Sequence, residues 1–376
     1  MKLKQYILLN PGPVNIRPSV RKSLLLPDLC HREPEFGEIL AETRKNLLEV
    51  FGIEKDFTCA IITGSGTSAL ESAVSSCVND GERILVINNG VYGERIAKIA
   101  EIHGIMKTEL KYNFDERPRP EDVERVLSKD PSIRAVAMVH HETSSGMLNP
   151  LDEIGTAARK YGKTFLVDAI SSLGGEVFDF KKSCAGFVIG ASGKCLHAFP
   201  GLSFVLIRKD EAERIAKIKP RTLYLDLANT LANQEKNDIP FTPAVPLFFA
   251  FNAALKELKK EGVAKRIKLY NERSGLIHRT LKKLGIKFLI PEGYSSQCLV
   301  GLYLPEGLSY QQLHDGLKEK GFVIYAGQSK FKNKIFRISN LGDYPIAVIK
   351  RFCSALESIV AGKKKNAHAK TAVALD

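Results

Sequence analysis

Arg83-Ile84-Leu85-Val86-Ile87-Asn88 is a short, continuous apolar run, and a helix-period stretch, Tyr92–His103, follows it. The same unit recurs on both sides. Cys59–Thr63, Arg134–His140, Thr164–Asp168, Gly186–Gly190 and Ser203–Ile207 are further runs rich in Val and Ile, with helical patterns at Thr67–Val78, Pro120–Leu127 and Leu151–Tyr161 between them. Runs this short and this apolar read as strands buried on both faces. Their alternation with helices predicts an α/β fold: a large domain whose mainly parallel sheet is covered by helices. In such sheets ligands bind beyond the carboxyl ends of the strands, so the residues just after each run are where chemistry is expected.

The texture changes near residue 247. A long helical stretch, Leu247–Leu284, broken near Gly262, leads to strands at Lys287–Leu289 and Cys298–Leu304. Helix Tyr310–Lys320, strands Val323–Ala326 and Ile335–Ser339 and helix Ile346–Val360 follow. These make a smaller C-terminal α+β domain. The expected organisation is an N-terminal segment over 1–15, the large domain over 16–250 and the small domain over 251–361. Residues 362–376 are polar without an apolar face, and a disordered tail is expected there.

Among the 376 residues, 44% are hydrophobic and 26% charged, which excludes a disordered or collagen-like chain. No apolar run approaches the roughly 18 residues that cross a bilayer. The first residues lack the apolar core of a secretion signal, so a cytoplasmic protein without membrane contact is expected. Lys and Arg (55) outnumber Asp and Glu (42), a net charge of +13. That excess suits a solvated basic surface or a cleft that attracts small anions. No basic stripe with interleaved aromatics is present, so nucleic acid is not an expected partner. The seven cysteines are scattered without any Cys-x-x-Cys, which argues against a disulfide framework or a metal site.

Three sites carry chemical signals. Thr63-Gly64-Ser65-Gly66-Thr67 lies between a strand and a helix; its small residues and free N–H groups suit a phosphate, or form a turn that caps a helix with no ligand. Asp168 closes an apolar run, where a desolvated carboxylate needs a cation or hydrogen bonds; it reads as a helix cap, a metal ligand or a charge partner. Lys194, in Gly190-Ala191-Ser192-Gly193-Lys194-Cys195, ends another run and is flanked by apolar residues. A sequestered lysine loses basicity and becomes a usable amine nucleophile. Together the three fit pyridoxal phosphate, which needs a phosphate cradle, a lysine and an anion for its pyridine nitrogen. Tyr92, following the Arg83–Asn88 strand, could stack on the ring or pack in the core.

The order Gly-Ser-Gly-Thr, Asn-Gly-Val-Tyr-Gly-Glu-Arg, His-His-Glu-Thr, Val-Asp-Ala and Ser-Gly-Lys-Cys resembles the class V, fold-type I pyridoxal-phosphate aminotransferases. Within them it is most similar to the branch that acts on 2-aminoethylphosphonate and pyruvate. The resemblance covers about residues 7–360. It implies pyridoxal 5'-phosphate bound covalently by Lys194, with Asp168 pairing its ring nitrogen. Ser65, Gly66 and Thr67 would hold the phosphate, joined by Thr242 from a partner subunit, so a homodimer with a shared site is implied. Tyr92 would stack on the ring and Thr143 would bond its hydroxyl. Arg337 would grip the carboxylate of a 2-oxo acid, with Arg32 and Lys330 as candidates for the phosphonate. Gly193 departs from the pattern, since relatives usually carry Asn before the lysine.

The implied reaction moves the amino group of 2-aminoethylphosphonate to pyruvate. The nearest alternative is an alanine–glyoxylate or serine–pyruvate aminotransferase. A cysteine desulfurase-like lyase would be expected to place His where this chain has Gly193 and Tyr92. A non-catalytic module on the same fold is a third class, for which the presence of Lys194 is unfavourable.

Overall fold

The computed structural model describes residues 4–373, with side chains through residue 362. The expected disordered tail falls almost entirely on residues whose side chains, or whole placement, lie outside that description.

Seven strands form one sheet: β1 (Phe57–Gly64), β2 (Arg83–Asn88), β3 (Met106–Lys111), β4 (Ile133–Val139), β5 (Thr164–Asp168), β6 (Phe187–Ala191) and β7 (Gly201–Arg208). Their order is β1-β7-β6-β5-β4-β2-β3. Only β7 runs against its neighbours; the pairs from β6 to β3 are all parallel. The α/β fold with a mainly parallel, helix-covered sheet is therefore the one expected. Alternate residues face opposite cores. Leu85 and Ile87 join Phe36, Leu40 and Phe248 on one face. Ile84 and Val86 join Leu70, Val74 and Ile96 on the other.

β3 was not expected. Met-Lys-Thr-Glu-Leu-Lys lies at the sheet edge with every residue exposed or half-buried, so it lacks the continuous apolar signature of its neighbours.

Helices α1 (Pro34–Phe51), α2 (Gly66–Ser76) and α3 (Val91–Ile102) cover the sheet. α2 follows β1 and α3 follows β2, so both helix N-termini open at the carboxyl edge that also carries the ends of β4, β5 and β6. Gly262, at φ +86, splits the long helical stretch into α4 (Val245–Glu261) and α5 (Val263–Leu284).

Beyond α5, β8 (Leu299–Tyr303), β9 (Tyr325–Ala326) and β10 (Ile335–Ser339) form an antiparallel sheet in the order β8-β10-β9. Its core joins Ile277 and Leu281 of α5 to Phe322, Phe336, Ile338 and Phe352. The expected strand at Lys287–Leu289 is reduced to an isolated bridge from Phe288 to Leu302. The expected strand Val323–Ala326 is two pieces: Phe322–Val323 pairs in parallel with Ile7–Leu8, and Tyr325–Ala326 pairs with β10. From Leu8 the chain passes back toward the large sheet, where the Pro11 carbonyl meets Lys194.

Candidate active site

The carboxyl edge of the large sheet encloses a cavity of about 190 Å³. Its walls include Ser65, Gly66, Thr67, Tyr92, Thr143, Asp168 and Lys194. Five separate strand ends deliver them: β1 leads into Ser65–Thr67, β2 into Tyr92, β4 into Thr143, β5 ends in Asp168, and β6 leads into the Lys194 loop.

Asp168 is 3% exposed, and the N–H of Ile170 donates to it at 3.0 Å. Burial pushes its carboxyl up to about 6, against the pull of that N–H and of the Arg95 and Lys194 charges. Among the described residues no cation pairs with it, so this acid stands ready for one. Burial lowers the Lys194 ammonium from the ordinary lysine value. Its Nζ donates to the Pro11 carbonyl. Gly12, where the N-terminal segment covers the amine, has φ +125, a backbone conformation that favours glycine.

Gly193, a departure from the expected pattern, has its reason in its surroundings. A Cβ there would lie 2.9 Å from both Cα and N of Pro200, so the returning loop occupies the space of a side chain.

Ser65 begins α2 without using its side chain as a cap. The helix therefore presents unpaired N–H groups and the positive end of its dipole to the cavity. Arg95 donates to Thr67 Oγ1 at 3.2 Å and lies 4.7 Å from the centre of the Tyr92 ring. Both residues are on α3, three positions apart and so on one face.

Arg337 is 1% exposed and stands behind Thr143 rather than in the cavity wall. It donates to Thr143 O at 2.9 Å, Ala326 O at 3.0 Å and Gln328 Oε1 at 3.2 Å. All three acceptors are neutral.

Three other candidates lie outside this cavity. Thr242 is exposed, beside Tyr224 and Phe241. Arg32 is exposed and bonds Asp238 at 3.0 Å and Pro240 O at 3.2 Å. Lys330 is exposed, its ammonium 4.3 Å from the Phe114 ring centre.

Sequence reasoning passed over Arg95, His141 and Ser171, which also line the cavity. His141 directly follows the Arg134–His140 run, and Arg95 is one helical turn beyond Tyr92; both placements were signals. Glu142 was also passed over. It is fully buried and accepts from the N–H groups of Tyr92 at 3.1 Å, Gly93 at 3.3 Å and Ser144 at 3.2 Å. Burial pushes its carboxyl up to about 7.

Comparison with known proteins shows the family of the chain. The family described as aminotransferase class-V matches residues 26–333. A protein of Syntrophobacter fumaroxidans named 2-aminoethylphosphonate–pyruvate transaminase is 36% identical over 342 residues, 90% of this chain and 91% of that protein. A Vibrio cholerae protein of the same name is 34% identical over 361 residues, 94% of this chain and 98% of its own. A crystal structure from Thermus thermophilus, titled an aspartate aminotransferase of subgroup IV, superposes with a TM-score of 0.85 at 32% identity, covering 94% of this chain and 99% of its own. A single cavity lined by a half-buried lysine, a carboxylate with no cation partner among the described residues and an open helix N-terminus thus sits in a chain that belongs to the class-V aminotransferase family.

Proposed function

We propose that this chain is a pyridoxal-phosphate-dependent transaminase that moves the amino group of 2-aminoethylphosphonate to pyruvate, giving phosphonoacetaldehyde and L-alanine. The observation that carries the reading is the meeting of Asp168, Lys194 and the α2 N-terminus in one cavity. These residues fit the cofactor: the unpaired acid suits a pyridinium nitrogen, the helix N-terminus suits a phosphate, and the depressed amine suits an aldehyde.

When bound, the cofactor supplies a ring that accepts the electrons released as a C–H bond beside the amino nitrogen breaks. Lys194, made less basic by burial, takes that proton and gives it back, as general base and then acid. Asp168 would pair with the positively charged ring nitrogen. Tyr92, braced by Arg95, would stack on the ring, and Thr143 would bond its hydroxyl. Arg337 is a buried guanidinium bonded only to neutral oxygens, an arrangement that favours a carboxylate.

Thr242 and Arg32 act in a second copy of the chain. Arg32 binds Asp238 and Pro240, and Thr242 follows two residues later. This face also carries Tyr224, 47% exposed beside Phe241, and Leu223, 80% exposed. A homodimer would cover that apolar surface and bring Thr242 to the partner's phosphate, with Arg32 near its phosphonate. Lys330 stands as a more distant candidate for the same group. The chain divides into an N-terminal segment over 1–15, whose described residues pack on the small domain through Ile7–Leu8 and on the site through Pro11, a large domain over 16–250 and a small domain over 251–361. No described helix is long and apolar enough to cross a membrane, and the proposal places the enzyme in the cytoplasm.

The test is a donor panel with pyruvate as acceptor, reading L-alanine, with 2-aminoethylphosphonate, L-serine and L-aspartate as donors; L-alanine is tested with glyoxylate. Aspartate is included because the solved relative at 32% identity carries that title. A kcat/KM for 2-aminoethylphosphonate well above the others supports the proposal. Faster turnover of aspartate, serine or alanine overturns its substrate and keeps the cofactor chemistry.

A further inference from the structure

The Lys194 loop is gripped from the side away from the cavity. Its third following residue, His197, has φ +56, a left-handed conformation that side chains other than glycine rarely adopt. Such a conformation persists where the surroundings over-determine it. Those surroundings are one face of α5. Arg266, Tyr270 and Arg273 lie at i, i+4 and i+7, and their exposures are 2%, 0% and 1%.

Arg266 Nη1 donates to the Cys195 carbonyl at 2.7 Å, one residue past the lysine. Its Nε and Nη2 fork onto Glu261 at 2.7 Å each. The Tyr270 hydroxyl meets His197 Nε2 at 2.5 Å, and the Gly342 N–H donates to the same nitrogen at 3.2 Å. An N–H can only donate, so Nε2 is the acceptor and the Tyr270 hydroxyl donates as well. Arg273 donates to the carbonyls of Asn340 and Gly342 at 3.0 Å each and to that of Tyr344. That segment directly follows β10, which carries Arg337. Arg17 ties the same region together through Glu257 at 2.9 Å, Glu261 at 3.5 Å and Asp343 at 2.9 Å.

We infer that Arg266 and Tyr270 are positioning residues for Lys194: the buried face of α5 sets where the amine stands relative to the strand that carries Arg337. Neither side chain lines the cavity, so each acts through the loop backbone. The inference rests on Lys194 being the residue that binds the cofactor, but not on the identity of the amino donor.

The test compares Arg266→Met, Arg266→Lys and Tyr270→Phe with the parent chain, all loaded with pyridoxal phosphate. The first readout is the midpoint of the pH titration of cofactor absorbance, which reports the proton on the lysine–cofactor bond. For Arg266→Met and Tyr270→Phe a midpoint shift of about half a unit or more is expected. Their kcat falls about tenfold, the scale of a small misplacement, with KM for pyruvate changed by less than about twofold. Arg266→Lys, which can still donate to the Cys195 carbonyl, recovers most of kcat. Unchanged midpoints with only a lowered melting temperature would assign both residues to packing and overturn the inference. Should Arg266→Met fail to fold, Tyr270→Phe, which deletes one oxygen, decides on the same criterion. The titration needs no amino donor: a parent chain that titrates yet fails with 2-aminoethylphosphonate removes the substrate reading and leaves this inference standing.

Discussion

Asp168 shows why a residue of this kind is costly without its ligand. Its carboxyl ionises near pH 6 in the fold and near 3.8 in the open chain, a gap worth roughly 3 kcal/mol. Between those values the folded state holds the proton and the unfolded state does not, so the residue's contribution to stability declines as pH rises from about 4 to about 6. Asp168→Asn removes that decline. The cofactor-free variant is expected to melt a few degrees above the parent at pH 7.5 and close to it at pH 4, by calorimetry at matched salt, while its cofactor affinity drops. An equal or lower melting temperature at pH 7.5 contradicts the assignment.

Gly193→Asn drives a Cβ into the Pro200 backbone. A loss of about 1–3 kcal/mol of stability is expected in urea denaturation. Lys194 and Asp168 were legible because a charged residue that closes an apolar run is conspicuous. Arg95 and His141 stood at suggestive positions, but their importance shows only in a cavity assembled from five strand ends.

At the scale of elements, Glu142 holds the start of α3 from another strand. Its oxygens accept N–H groups that the helix leaves unpaired, and the close fit needs glycine at 90, where a Cβ would strike the carboxylate. Glu142→Gln turns part of that acceptor into a donor facing donors. We expect a loss of about 1–3 kcal/mol, and weaker cofactor binding as Tyr92 and Arg95 shift with the helix, measured by denaturation and cofactor titration. Unchanged affinity would mean that α3 is placed by packing alone.

The central strands were readable because burial on both faces leaves a continuous apolar signature. Edge strand β3 has no such signature. The Lys287–Leu289 run failed as a strand because pairing narrows there to Phe288 and Leu302. Helix boundaries were legible where a conformational break enforced them, as at Gly262.

For the whole molecule, the net charge of +13 suggested anionic ligands without locating them. Location came from topology, which brings the ends of β1, β2, β4, β5 and β6 to one edge. The surface that the proposed dimer would cover was not readable from periodicity, since Thr242 and Leu223 are anomalous only once their exposure is known. If Thr242 serves the partner's site, Thr242→Val should weaken cofactor binding about tenfold or more, the value of a hydrogen bond to a charged group. Mixing that variant with Lys194→Ala should then restore activity. Hybrid dimers join an intact lysine in one chain to an intact Thr242 from the other. Mixtures no more active than the separate variants would place Thr242 in its own chain's site or in none.

The most direct measurement is chemical. Protein loaded with pyridoxal phosphate is reduced with borohydride, digested and mapped by mass spectrometry. The account predicts a pyridoxyl group on Lys194 and its absence from the Lys194→Ala variant. A label on another lysine, or none in protein that has taken up the cofactor, would contradict it.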